Sequence, residues 1–306
     1  MYIFSTLSPI SFRQLLVSSL LVLGSIGAYA GNIQNPVGFF CGEEVKENTE
    51  IEKYFSKIEL IDGATETDRE QVFVIGSCVQ SLLSGFPTPD GTTMKIVKNG
   101  TGGSVDVYQN MTLPIPYAPK RRKQPTLTET YAVLAHEWAH LFHREKQLPG
   151  LAKLGSNLES QPSVIKKMFW SYNSGENFDR IKPYLELFAD TVAVVMFDDL
   201  KIMSSANDSG VSRDFNYQRN CKSIHADDLH GYFDPTRFEI GKFYKKSIRT
   251  ARERTRFLWG FSQIIDQQID LTNDPYDPFY GKSLCEKNKI LILKFLEYFS
   301  DPIALQ

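Results

Sequence analysis

The sequence predicts an α+β fold, with a small sheet in its first half and a mostly helical second half. Two runs, Met94-Lys95-Ile96-Val97-Lys98 and Ser104-Val105-Asp106-Val107-Tyr108, alternate with the two-residue period of strands around the turn Asn99-Gly100-Thr101-Gly102-Gly103. Later stretches beginning near Thr126, Tyr184 and Lys246 instead repeat apolar residues at three- and four-residue steps. With 42% hydrophobic residues in 306, there is enough apolar material for a sizeable core. A net charge of −2 without a long basic block gives no electrostatic footprint for nucleic acid.

Residues 1–30 read as a signal peptide. Arg13 precedes the apolar run Leu15-Leu16-Val17-Ser18-Ser19-Leu20-Leu21-Val22-Leu23, and Ala28-Tyr29-Ala30 places small residues where a signal peptidase cuts, before Gly31. The apolar run is short for a membrane helix, so no stable span is expected after cleavage; a retained anchor is the alternative. The chain is therefore expected to be periplasmic or secreted. Cys41, Cys78, Cys221 and Cys285 all follow the cleavage point, and an even number in an oxidising compartment predicts two disulfides. Three connectivities are open, of which Cys41 with Cys78 and Cys221 with Cys285 is preferred.

Residues 31–125 form an N-terminal α+β part. A charged helix is expected over residues 50–57, and the apolar run Gln71-Val72-Phe73-Val74-Ile75 reads as a strand. After the Gly/Pro-rich punctuation of residues 85–91, the two alternating runs read as a β-hairpin. Residues 114–123, ending in Lys120-Arg121-Arg122-Lys123, read as a basic loop. Residues 126–306 form the second part. A polar loop is expected over 204–210, then amphipathic helices over 246–268 and 283–299, joined by a Pro/Asp/Tyr-rich loop over 270–281. Phe257, Leu258, Phe261, Ile264 and Ile265 read as a core stripe.

The helix that opens the second part carries the chemistry. Thr126-Leu127-Thr128-Glu129 fits a capping box, and Pro149-Gly150 predicts the stop. Between them lies His136-Glu137-Trp138-Ala139-His140. Residues four apart share a helical face, so both imidazoles can reach one metal ion, with Glu137 beside it as a general base. Catalytic zinc needs three protein ligands and an open position. Glu186, in the apolar run Tyr184-Leu185-Glu186-Leu187-Phe188-Ala189-Asp190, is the third candidate. Asp190, one turn on, would accept the other ring N–H of His136. His143 lies two turns from His136 on a helix with no glycine to break it, too far to share the ion, and is expected to be exposed or to support the site from behind.

His-Glu-Trp-Ala-His followed by Glu-Leu-Phe-Ala-Asp resembles the gluzincin zinc metallopeptidases. It is most similar to the group of CAAX-prenyl proteases, Oma-type peptidases and their soluble exported relatives. The resemblance covers about residues 126–190. It implies a zincin-like fold, with His136, His140 and Glu186 as ligands of one catalytic zinc ion, Glu137 as base and Asp190 as partner of the first histidine. It also implies an exposed edge strand along the cleft that pairs with an extended peptide, for which Val105, Val107 and Tyr108 are the candidates; an ordinary core hairpin is the other reading. A histidine and an arginine that follow the second motif face the metal in that group. Here they correspond to His230, a donor to the developing oxyanion, and Arg237, an ion-pair partner of Asp190 or another acid. The spacing departs from the group's tighter His-Pro pattern, with Tyr232 as the alternative donor, and His225 is read as a loop residue. The expected activity is that of an exported zinc metalloendopeptidase acting on peptide or protein. The alternatives are a zinc amidase on a cell-wall substrate and a proteolytically silent zinc-bound binding protein or chaperone.

Overall fold

Residues 48–106, 110–118, 124–154, 176–225, 228–273 and 282–301 are described by a computed structural model. The expected signal peptide, Cys41, Val107 and Tyr108 lie outside the described residues. The helix expected over residues 50–57 shrinks to a short α1 (Asn48–Glu52), and strand β1 (Phe55–Ile61) takes over. From Phe55 the chain alternates apolar and charged residues, and it pairs in parallel with β2 (Thr92–Lys98), with Ile58 opposite Met94 and Leu60 opposite Ile96.

The run at residues 71–75 is not a strand but the interior of α2 (Glu66–Leu82). A short apolar run fits either period, and the cap decides between them. The Asp68 N–H donates to Thr65 Oγ1 and the Thr65 N–H to Asp68 Oδ2 (2.8 Å), closing a capping box just upstream. Val72, Ile75, Val79 and Leu82 then fall on one buried face.

The expected hairpin is also corrected. β2 and β3 (Ser104–Val105) do not pair with each other, because β4 (Met111–Ile115), expected as part of a loop, lies between them. The order is β1-β2-β4-β3, with β2 parallel to β4 and β3 antiparallel to it. β3 is thus an edge strand. Its described part is short: Ser104 faces Thr112 and Val105 faces Met111.

Helix α3 (Leu127–Leu154) starts at the predicted box, where the Thr126 N–H donates to Glu129 Oε2 and the Glu129 N–H to Thr126 Oγ1. It passes through Pro149-Gly150, the predicted stop, and ends four residues later. Trp138 is wholly buried on it, edge-on to Phe55 and stacked on Phe142. α2 makes room at Gly76, where an added Cβ would lie 2.5 Å from the indole. α3 packs against α4 (Glu176–Phe197), the other helix of the candidate site.

The expected loop at 204–210 begins as a short helix, α5 (Ile202–Ala206). The segment expected as one helix over 246–268 is two. α6 (Asp234–Ser247) ends at an extended Ile248, and α7 (Ala251–Asn273) starts afresh at a Thr250–Glu253 capping box. α8 (Leu284–Ser300) starts at the expected position, capped by Ser283. Phe257 and Phe261 of α7 meet Phe295 of α8 edge-on and bind these helices into the core. Cys221 is joined to Cys285 as preferred; Cys78 is also disulfide-bonded, its expected partner being outside the described residues. No helix among the described residues is long and apolar enough to cross a membrane.

Candidate metal centre

Two helices converge on one point. His136 and His140 are one turn apart on α3, and Glu186 faces them from α4; all three are buried. The ring Nε2 atoms lie 3.0 Å apart. Glu186 Oε2 is 3.2 Å from His136 Nε2, and Oε1 is 3.6 Å from His140 Nε2. One ligand atom from each residue lies within 4.8 Å of the others, so the three form a group able to hold a metal ion.

The donor chemistry fits a cation better than it fits a closed hydrogen-bond network. Two imidazole nitrogens face each other, and only one can carry a shared proton. Glu186 Oε2 has no hydrogen bond of acceptable geometry, although His136 and His230 nitrogens lie at 3.2 and 3.3 Å. His140 Nδ1 is likewise buried without a partner. Orphaned buried polar atoms are costly, and an ion at the centre would satisfy the inward-facing ones.

Electrostatics separate the two rings. Burial favours the neutral form of His136, but the carboxylates of Asp190 and Glu186 beside the ring overcome it and raise its pKa to about 9. Burial, reinforced by His136, lowers His140 to about 3. Burial also opposes ionisation of Glu186, yet the facing imidazoles hold its carboxyl well below the usual range. Glu137 lies beside His136 on the helix and is pushed up to about 7, first by burial and further by Glu186.

Asp190 is where the spacing predicted it, with Oδ1 3.0 Å from His136 Nδ1 and no solvent exposure. Arg237, on α6, meets it at 2.6 Å through Nη2, and the Arg237 Nη1 donates to Asp234. Against the penalty of burial, the guanidiniums of Arg213 and Arg237 lower the Asp190 carboxyl. His230 reaches the site as expected and is half-exposed. Tyr232 turns elsewhere: its carbonyl accepts from Asn288, and its ring lies against Phe233 and Lys287.

His143 corrects one expectation. It is wholly buried rather than exposed, and its Nε2 meets Asp266 of α7 at 2.8 Å, away from the metal ligands. Two arginines escaped sequence reasoning. Arg213 doubles the clamp on Asp190, donating through Nε at 3.1 Å, while its Nη2 lies 3.2 Å from His136 Nδ1. It adopts a left-handed φ of 63°, stabilised where its own N–H donates to Asp234. A lone arginine in a polar loop carries no sequence signal for this. Arg144, one turn beyond His140, is buried and donates through Nη1 to the carbonyls of Val105 (2.7 Å) and Asp106 (2.9 Å). Its helical spacing with the two histidines was the available clue.

Val105 lies on the edge strand, but its outward carbonyl is taken by Arg144. Gly103, just before the strand, lies against the candidate base instead: an added Cβ there would lie 2.6 Å from Glu137 Cγ. No family model, curated protein or solved structure matches the chain. The metal-site reading therefore stands on this geometry.

Proposed function

We propose that the chain is an exported zinc-dependent metalloendopeptidase. The observation that carries this reading is the convergence of His136, His140 and Glu186 with Glu137 alongside them on the same helix. Two imidazoles and one carboxylate are a donor set that zinc favours, and they leave a position for solvent. Zinc bound there would supply the Lewis acidity that makes a water nucleophilic near neutral pH.

The remaining roles belong to the chain. Glu137 takes a proton from the attacking water and later delivers it to the leaving amine; its buried carboxyl, raised to about 7, suits proton transfer in both directions. His230, half-exposed beside Glu186, donates a hydrogen bond to the oxygen that becomes negative as the carbonyl is attacked. Asp190 accepts from His136 Nδ1 and holds that ring in its tautomer and orientation, while Arg213 and Arg237 keep Asp190 ionised. The predicted leader and the Cys221–Cys285 disulfide support an oxidising compartment.

Metal analysis combined with casein hydrolysis tests the reading. Wild type should carry near-stoichiometric zinc. Glu137→Gln should retain it and lose turnover by about 10²–10⁴-fold. Equal turnover would remove Glu137 as base. Zinc without any hydrolysis of protein would leave the silent binding alternative, and cleavage confined to cell-wall amides would move the substrate class.

A further inference from the structure

Arg144 has no place among the metal ligands or in the proton path, yet it is buried two turns past His136 on the ligand-bearing face of α3. One guanidinium nitrogen bonds two consecutive carbonyls, Val105 and Asp106, at the point where the edge strand passes the helix. Hydrogen bonds from a buried charge to neutral carbonyls are among the stronger and costlier ones to lose. β3 is two residues long, Ser104–Val105, and among the described residues it pairs only with β4.

Strand alternation sorts the main-chain groups. The Asp106 N–H donates to the Asn110 carbonyl at 2.9 Å, so Ser104 and the Asp106 N–H face β4, while the Asp106 carbonyl turns to Arg144. Gly103 and Val105 then direct theirs outward. Arg144 occupies the outward carbonyl of Val105. The main chain of Gly103 makes no hydrogen bond among the described residues, and it lies against Glu137, where a Cβ would collide with the Cγ and carboxylate.

We propose that Arg144 is a positioning residue that clamps the end of the edge strand to the metal helix, so that the outward main-chain groups of Gly103 are presented to an extended peptide backbone beside Glu137. The glycine is required because only a residue without a Cβ lets the strand approach the carboxylate this closely. Recognition of substrate backbone is thereby moved from Val105 to Gly103. This inference rests on the peptidase reading for its catalytic consequence, while the clamp itself can be tested without any activity.

Two substrates separate the clamp from damage to the metal site: an extended blocked octapeptide, and a blocked dipeptide amide too short to lie along the strand. In Arg144→Met, kcat/KM for the octapeptide should fall about 100-fold, the scale of a displacement of about 1 Å. The fall for the dipeptide should be about tenfold smaller, with zinc content unchanged. Arg144→Lys, which keeps the charge but bonds less well to two carbonyls, should lie between. Gly103→Ala should lower kcat for both substrates through its contact with Glu137. Equal losses on the two substrates in Arg144→Met, or no loss, would overturn the clamp. Amide hydrogen exchange gives the activity-free arm: Ser104, Asp106 and Thr112 should exchange about tenfold or more faster in Arg144→Met, or in Arg144→Lys should the first variant not fold. Unchanged exchange rejects the clamp even if wild type is active. Faster exchange in a protein that cleaves neither peptide supports the clamp and rejects the peptidase reading.

Discussion

Helix α3 carries two buried histidine–carboxylate clusters in succession along its length, and the contrast between them separates a candidate site from a structural one. In the first, His136 and His140 meet Glu186. In the second, two turns beyond His136, His143 meets Asp266, which also receives the Lys146 ammonium at 2.7 Å and the Gln147 amide at 3.1 Å. Lys146 is itself bonded to Ser262 and lies over the rings of Phe86 and Trp259. The second cluster thus balances a carboxylate with a lysine of its own. In the first, the two cations nearest Asp190 serve Asp190, and Glu186 is left facing imidazoles with an oxygen lacking a hydrogen bond. Both clusters are buried, and each leaves a side-chain atom without a hydrogen bond among the described residues, His143 Nδ1 in the second; what distinguishes the candidate site is three ligand atoms that converge on one point.

Substitutions can break or sharpen that contrast. The largest effect is expected from Glu186→Ala, which removes one ligand of three. Metal content should collapse in dialysed protein, and full retention would remove Glu186 from the site. Asp190→Ala should come next, at about 3–5 kcal/mol by chemical denaturation, because it strands two buried guanidiniums, and it should also weaken metal binding by about 10–100-fold. Denaturation and metal titration on one preparation would check both effects.

Asp266→Asn should touch stability alone and leave metal content intact. Hydrogen bonds and charges from His143 and Lys146 overcome burial and lower the Asp266 carboxyl from its usual value near 3.8 to about 2. A depressed carboxyl stabilises the fold above the unfolded pKa and loses that contribution as pH falls through the folded one. Wild type should therefore lose about 2 kcal/mol from this group between pH about 5 and 2, and the variant should lack that portion of the acid loss. Metal loss in Asp266→Asn would show that the two clusters are coupled. The smallest effect is a proton count. Metal-free His136 is raised to about 9, so zinc uptake at pH 7 should release about one proton and weaken as pH falls. Calorimetry in buffers of different ionisation enthalpy reads this directly. His143, lowered by burial, should release none.

The same contrast explains what could be read in advance. The spacing of His136, Glu137 and His140, and of Glu186 and Asp190, is set by the helical repeat, a local property that side-chain order reveals. The Thr126–Glu129 cap is local too and formed where expected, and Ser283–Glu286 caps the helix expected over residues 283–299. The run at residues 71–75 failed because four consecutive apolar residues suit a strand or a helix. Its cap, Thr65–Asp68, lies six residues upstream of the run and outside the apolar pattern. The hairpin failed for a different reason: alternation marks Met94–Lys98 and Ser104–Val105 as strands but carries no information about what lies between them, and β4 took that place through contacts with both.

By itself, then, the sequence determined which side chains share a helical face, where α3 begins, and that histidines and carboxylates stand at metal-ligand spacing. Only the tertiary structure decided that α3 and α4 bring their polar residues to one point, that Arg213 and Arg237 converge on Asp190, and that Arg144 and Gly103 set the edge strand against Glu137. Those contacts join residues many tens of positions apart, and their geometry depends on how helices and sheet pack, which no local repeat encodes.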